Sequence, residues 1–125
     1  MLDRTRKLPD SELEVMMAVW DCEPPVTRRQ IEEIIHRQHP AAQTTILTLL
    51  TRLEGKKYIR IDKPGRSSVY TPLISKQDYL ASQSRSFIEQ LFGGSMPAFA
   101  AALCDSGLSK EELDELRKLL DQGDV

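Results

Sequence analysis

The amino-acid sequence predicts a mainly α-helical protein with one small β-hairpin. Apolar residues recur at helical spacing in six separate stretches. Several of these open on a Ser or Thr followed three residues later by an acid or Gln, the pattern of a capping box. Between the third and fourth stretches, two short runs flank Pro64 and Gly65, which is how a hairpin reads. At 125 residues, 40% hydrophobic and 29% charged, the chain is long enough to bury a core without disulfide or metal staples.

The first helix is expected over 10–22, with Leu13, Met16, Met17 and Trp20 as its apolar stripe and Asp10 or Ser11 as its cap, Ser11 with Glu14 forming a capping box. Pro24 and Pro25 then break the chain. The second helix opens at Thr27, capped with Gln30, buries Ile31, Ile34 and Ile35, and stops before Pro40. The third runs from Gln43 or Thr44 to Lys56. The hairpin follows, with YIRI and SSVYTP as strands and DKPGR as the turn. The fourth helix starts after Ser75 and ends at Gly93 and Gly94. A short helix capped by Ser95 covers 97–104, and the last, 110–122, starts on a Ser109 and Glu112 capping box.

Several functions are excluded at this level. There is no nucleophile with a base in view, no glycine-rich phosphate loop and no metal constellation, so the chain is not expected to be an enzyme and no cofactor is expected. His36 and His39 have helical spacing for a metal, but no carboxylate or cysteine completes a set, and they are read as exposed and unliganded. Cys22 and Cys104 are read as reduced thiols. No apolar run reaches membrane-span length and 1–10 has no apolar leader core, so a cytoplasmic protein without stable membrane association is expected.

The net charge of −2 hides an asymmetry. Residues 1–74 hold 12 Lys and Arg against 10 Asp and Glu, whereas 75–125 hold 5 against 9. Within 44–70 there are 6 basic and 2 acidic residues, a local footprint suited to a polyanion.

The stretch TTILTLLTRL, 44–53, concentrates four threonines in a helix although threonine is a poor helix former. At about 100° per residue from Thr44, the residues Ile46, Leu49, Leu50 and Leu53 fall between roughly 140° and 240°. Thr44, Thr45, Thr48, Thr51 and Arg52 fall between roughly −20° and 100°, with Leu47 near −60°. A merely solvated face would carry Glu, Lys, Gln or Ala. Short hydroxyls and one guanidinium instead suit a close surface: hydroxyls reach phosphates and base edges, the methyl packs on thymine, and Arg is a bidentate fork.

The connections agree with this. A capped second helix, the break HPAAQ and the third helix have helix-turn-helix spacing, which makes 44–56 the recognition helix in the major groove, with Gln43 at its start. The hairpin stands where a wing would be, and its 62–68 turn offers Lys63, Arg66 and Ser67 to phosphates. Thr27 and Arg28 lie at the positive end of the second helix, in reach of the sugar-phosphate backbone.

With ELEVMMAVW, VTRRQIEEI, TILTLLTRLEGKKYI, GRSSVYTP and the tail LSKEELDELRKLLD, the chain resembles the BlaI/MecI/CopY family of bacterial repressors along nearly its whole length. The resemblance implies a winged helix-turn-helix domain, 1–74, followed by a helical dimerisation domain, 75–125. It implies a homodimeric transcriptional repressor on an inverted-repeat operator of double-stranded DNA, of the kind that controls antibiotic resistance. Thr45, Thr48 and Arg52 match the family's recognition helix, and Arg66 with Tyr70 its wing. Thr44 and Leu47 stand where relatives can carry basic residues. The family's penicillinase branch answers a membrane sensor protease of the BlaR/MecR type by cleavage at an Asn-Phe bond. This chain has no Asn; its corresponding region reads MPAFAAALCD, with Ala101 and Ala102 near that bond and Ala98 and Phe99 close by. The copper-responsive branch uses cysteine pairs, which Cys104 alone does not supply.

Helices four to six are apolar on one face but too few to close a domain alone. Phe87, Leu91, Phe92, Phe99, Leu103, Leu116 and Leu120 are expected to bury against a second copy. The alternative reading is a winged-helix protein-interaction module without specific DNA binding, which would carry an acidic or apolar third helix.

Overall fold

The structure, a computed structural model, describes residues 7–123. Residues 1–6, which carry most of the stretch read above for a leader, lie outside the described residues. The element order is α1 (Asp10–Trp20), β1 (Val26–Thr27), α2 (Arg28–His36), α3 (Gln43–Gly55), β2 (Ile59–Asp62), β3 (Val69–Pro72), α4 (Lys76–Phe92), α5 (Met96–Asp105) and α6 (Lys110–Gly123). The chain forms two compact units, Met1–Gln83 and Ser84–Val125.

In the first unit, α1, α2 and α3 enclose a core of Val15, Met16, Val19, Ile31, Ile35, Ile46, Leu50 and Leu53, all fully buried or nearly so. The three strands form one antiparallel sheet in the order β1-β3-β2. The hairpin pairs Ile59 with Pro72 and Ile61 with Tyr70, and β1 adds Val26 opposite Tyr70. β1 was not expected from the sequence, because two residues after a Pro pair carry no period. It sets the start of α2 against the hairpin.

The boundaries have local causes. Thr27 caps α2 through a complete box: its Oγ1 accepts from Gln30 N–H at 3.2 Å, and Gln30 Oε1 accepts from Thr27 N–H at 2.9 Å. α3 closes with Lys57 at φ 66, where the Tyr58 N–H reaches Leu53 O and the Lys57 N–H reaches Glu54 O, both at 2.9 Å. That pair of bonds is a Schellman closure, and it turns the chain directly into β2 with Tyr58 buried. A buried carboxylate, Glu12 on α1, meets Lys56 Nζ just past the end of α3 at 2.5 Å. Trp20 Nε1 donates to Ile74 O at 2.9 Å, and its ring tilts against Tyr79, centroids 5.6 Å apart. The Tyr79 hydroxyl accepts from the Leu8 N–H at 3.0 Å.

Helix α1 departs from expectation in three ways. It ends at Trp20 rather than Cys22. The Ser11 and Glu14 capping box is not formed; Pro9 is the N-cap residue and its carbonyl accepts from Leu13 N–H at 2.9 Å. The buried face is Val15, Met16, Ala18 and Val19, and Met17 is 42% exposed. Small and β-branched residues fit where α1 crosses two helices at once, which a four-residue apolar pattern does not reveal.

In the second unit, Phe87, Phe92 and Phe99 form a triangle of edge-on rings with centroids 5.5 to 6.5 Å apart. Gly93 and Gly94, both at positive φ, close α4. Ser95 caps α5 at Ala98 N–H, and Ser109 with Glu112 caps α6 reciprocally. No residue of α5 or α6 is buried. Among the described residues no single helix is long and apolar enough to cross a membrane.

Candidate nucleic-acid interface

The two faces of α3 separate as helical phase requires. Ile46, Leu49, Leu50 and Leu53 are buried, while Gln43, Thr44, Thr45, Thr48, Thr51 and Arg52 are exposed. Leu47 is half-buried against the core. Two threonines resolve their conflict with the helix internally: Thr48 Oγ1 donates to Thr44 O at 2.9 Å, and Thr51 Oγ1 donates to Leu47 O at 3.0 Å. With those protons directed inward, both side chains offer a surface partner a methyl group and an oxygen lone pair.

Beside this face lies a groove of about 590 Å³, lined by Thr27, Arg28, Arg29, Leu47, Lys63, Arg66, Ser67, Ser68 and Tyr70. It joins the start of α2, the flank of α3 and the hairpin turn. Thr27, Arg28, Lys63, Arg66 and Ser67 are thus brought together, with Leu47 on the wall. Gln43, Thr44, Thr45, Thr48, Thr51 and Arg52 lie on the adjoining helix. Burial pushes the Tyr70 hydroxyl above its ordinary value of 10.0, against Arg28 and Ser68, so it stays protonated.

The positive charge is sorted by pairing. Lys56 is tied to Glu12 and Arg60 to Asp62 at 2.8 Å, so two of the six basic residues of 44–70 are matched locally. Arg52, Lys63 and Arg66 have no ion-pair partner among the described residues. Of the four groove cations, Lys63 and Arg66 thus carry the unmatched charge, while Arg28 and Arg29 pair along α2 with Glu32 and Glu33.

Arg28 is held more tightly than the sequence indicated. Its Nε lies 3.2 Å from Glu32 Oε2. That contact is an ion pair without a directed hydrogen bond, since Oε2 is buried with no hydrogen-bond partner. A guanidinium only donates, so the Gln43 amide presents its oxygen to Arg28, and Oε1 accepts from Nη1 at 2.8 Å and Nη2 at 2.9 Å. The Arg28 and Glu32 spacing is visible in the sequence; the bond to Gln43, on another helix, is not.

His36 Nε2 meets Ala41 O at 2.9 Å, and His39 meets Pro40 O at 3.0 Å and Glu14 at 2.7 Å. These contacts fix the turn between α2 and α3. Among the described residues no three His, Cys, Asp or Glu gather as a metal set. Cys22 is half-buried and Cys104 exposed, and burial raises the Cys22 thiol above its ordinary value.

Phe87 and Leu91 are 48% and 66% exposed and Leu120 is 64% exposed, while Phe92, Phe99, Leu103 and Leu116 are half-buried. The second unit thus leaves apolar surface uncovered on α4 and α6.

A family model described as penicillinase repressor matches residues 8–122. The chain is 33% identical over 121 residues to the penicillinase repressor of Bacillus licheniformis, covering 94% of each chain. It is 29% identical over 123 residues to the methicillin resistance regulatory protein MecI of Staphylococcus aureus (strain N315), covering 98% of this chain and 99% of that one. Among solved structures, the solution structure of the DNA-binding domain of the repressor BlaI matches with a TM-score of 0.52 at 32% identity, over 60% of this chain and 90% of that one. The Bacillus licheniformis BlaI monomeric form in complex with the blaP half-operator matches with a TM-score of 0.50 at 32% identity, over the same shares.

Proposed function

Because the chain belongs to the penicillinase repressor family, we propose that it is a dimeric DNA-binding transcriptional repressor of an inverted-repeat operator. The observation that carries this reading is the exposed threonine and arginine face of α3, set beside a groove lined by Arg28, Arg29, Lys63 and Arg66. Helix 44–56 enters the major groove, where Thr44, Thr45, Thr48, Thr51, Arg52 and Leu47 meet base edges and thymine methyls. The 62–68 wing, with Thr27 and Arg29 at the start of α2, grips phosphates. The relative solved in complex with a half-operator supports DNA binding.

The reading assigns DNA contact to 1–74 and pairing to 75–125. Tyr79 and Ser82 are buried within the first unit, so the pairing surface begins beyond them, at Phe87. A two-fold protein suits half-sites spaced by about 34–36 Å or a multiple. Release from DNA is assigned to a signal acting on the second unit, from a membrane sensor protease of the BlaR/MecR type or another source. A cut there would fall in α5, at Ala101 and Ala102 or Ala98 and Phe99, where one or both residues of each bond are exposed.

The test is an anisotropy titration of duplex DNA from the chain's own promoter region across salt. Tight binding with a sequence preference and a steep salt slope is expected. Binding with neither would refute the reading. Incubation with a sensor protease, followed by mass analysis of 95–105, tests release.

A further inference from the structure

The first residues of α2 and α3, Arg28 and Gln43, form a pair whose chemistry limits what α3 can read. Gln43 is exposed, and its Oε1 is occupied by both Nη groups of Arg28. No bond to its Nε2 exists among the described residues. Arg28 is itself fixed from the other side by Glu32. The amide therefore faces outward with two N–H donors and no free acceptor.

A free glutamine reads adenine bidentately, donating to N7 and accepting from the N6 amino group. An amide whose oxygen is taken loses the accepting half of that pair. Guanine presents two acceptors, N7 and O6, side by side on the same edge. We propose that Arg28 is a positioning residue that makes Gln43 a donor-only reader, so that Gln43 selects guanine over adenine at the base pair it meets. The inference rests on the DNA-binding reading and adds the base chemistry of one position. Swinging Arg28 onto a phosphate would break two charge-assisted bonds and leave Glu32 facing Tyr70 without its cation.

The experiment selects duplexes from a randomised pool with the full-length chain and with Gln43→Ala, Arg28→Met and Arg28→Lys, each checked for cooperative melting. The wild-type chain is expected to enrich guanine in one column that Gln43→Ala flattens. Arg28→Met frees the amide oxygen and shifts that column toward adenine by about tenfold. Should Arg28→Met not fold, Arg28→Lys, which keeps charge but not the fork, gives a smaller shift in the same direction. Replacing the enriched guanine by 7-deazaguanine weakens binding of the wild-type chain and not of Gln43→Ala.

An unchanged column in Gln43→Ala overturns the inference. So does an Arg28 variant that lowers affinity uniformly and reduces the salt slope with its base preferences intact, since that is a phosphate clamp. A wild-type chain that enriches no sequence overturns the DNA-binding reading instead.

Discussion

Lys56 Nζ stands 2.5 Å from Glu12 Oε1 and ties the end of α3 to the buried face of α1. The Glu12 side chain is 4% exposed and that of Lys56 33%, so the carboxylate depends on this cation. Lys56→Met is expected to destabilise the first unit by about 1–3 kcal/mol, the cost of a buried charged group left without its partner. The double variant Glu12→Leu with Lys56→Met should recover much of that loss, because it removes the charge as well as the cation. Urea unfolding of Lys56→Met, Glu12→Leu and the double variant measures both terms, and strictly additive losses would contradict the coupling.

Glu14, two residues further along α1, reaches His39 in the helix-turn-helix turn. The bond to Pro40 O, then the hydrogen bond and charge of Glu14, hold the His39 ring above its ordinary value of 6.5. A value raised by folding means that the protonated ring favours the folded state. The contribution is complete below about pH 6.5 and fades as pH rises through the elevated value. His39→Gln should therefore cost more stability at pH 6 than at pH 8, and equal losses at both would rule the link out. Proton NMR titration of the two histidines checks the direction directly.

Arg52 and the wing cations are expected to fail differently. Arg52→Ala should weaken operator binding by about 1–3 kcal/mol and relax one base position. Lys63→Ala and Arg66→Ala should each weaken binding to all sequences alike and reduce the salt slope by about 1. Titrations on the operator and on a scrambled duplex, at several salt concentrations, separate the two classes. A loss for Arg52→Ala that is equal on both duplexes would remove α3 from base recognition.

Leu91, 66% exposed on α4, is expected to lie at the pairing surface. Leu91→Glu should shift the sedimenting species from dimer to monomer. It should weaken operator binding by about tenfold or more, through loss of the second half-site. Melting of the first unit should be unaffected, as the residue lies outside it. A dimer that survives this change would place the pairing surface elsewhere.

Much of the fold was legible because its signals are local. The Thr27 and Gln30 box, the phase of α3 and the turn at Pro64 and Gly65 each depend on residues within a few positions. What was missed depends on distant partners. Val15 and Val19 are core because α1 meets α2 and α3 together, which leaves Met17 outside. Ser11 is not a cap because Pro9 already holds the start of α1, and Glu14 is engaged by His39. Of the candidate interface, the exposed face of α3 was legible, but not the pairing that neutralises Lys56 and Arg60 or the bond that orients Gln43.

The bond from Leu8 N–H to the Tyr79 hydroxyl joins the approach to α1 with the first turns of α4. Trp20 covers the same tyrosine ring, so Leu8 and the first turn of α4 share one aromatic keystone. Neither can then loosen alone: losing α4 exposes the Leu8 amide, and losing Leu8 leaves the Tyr79 hydroxyl buried without its donor. In hydrogen exchange, the Leu8 amide should open with the whole unit rather than as a terminus, and a fragment meant to fold by itself has to retain Tyr79.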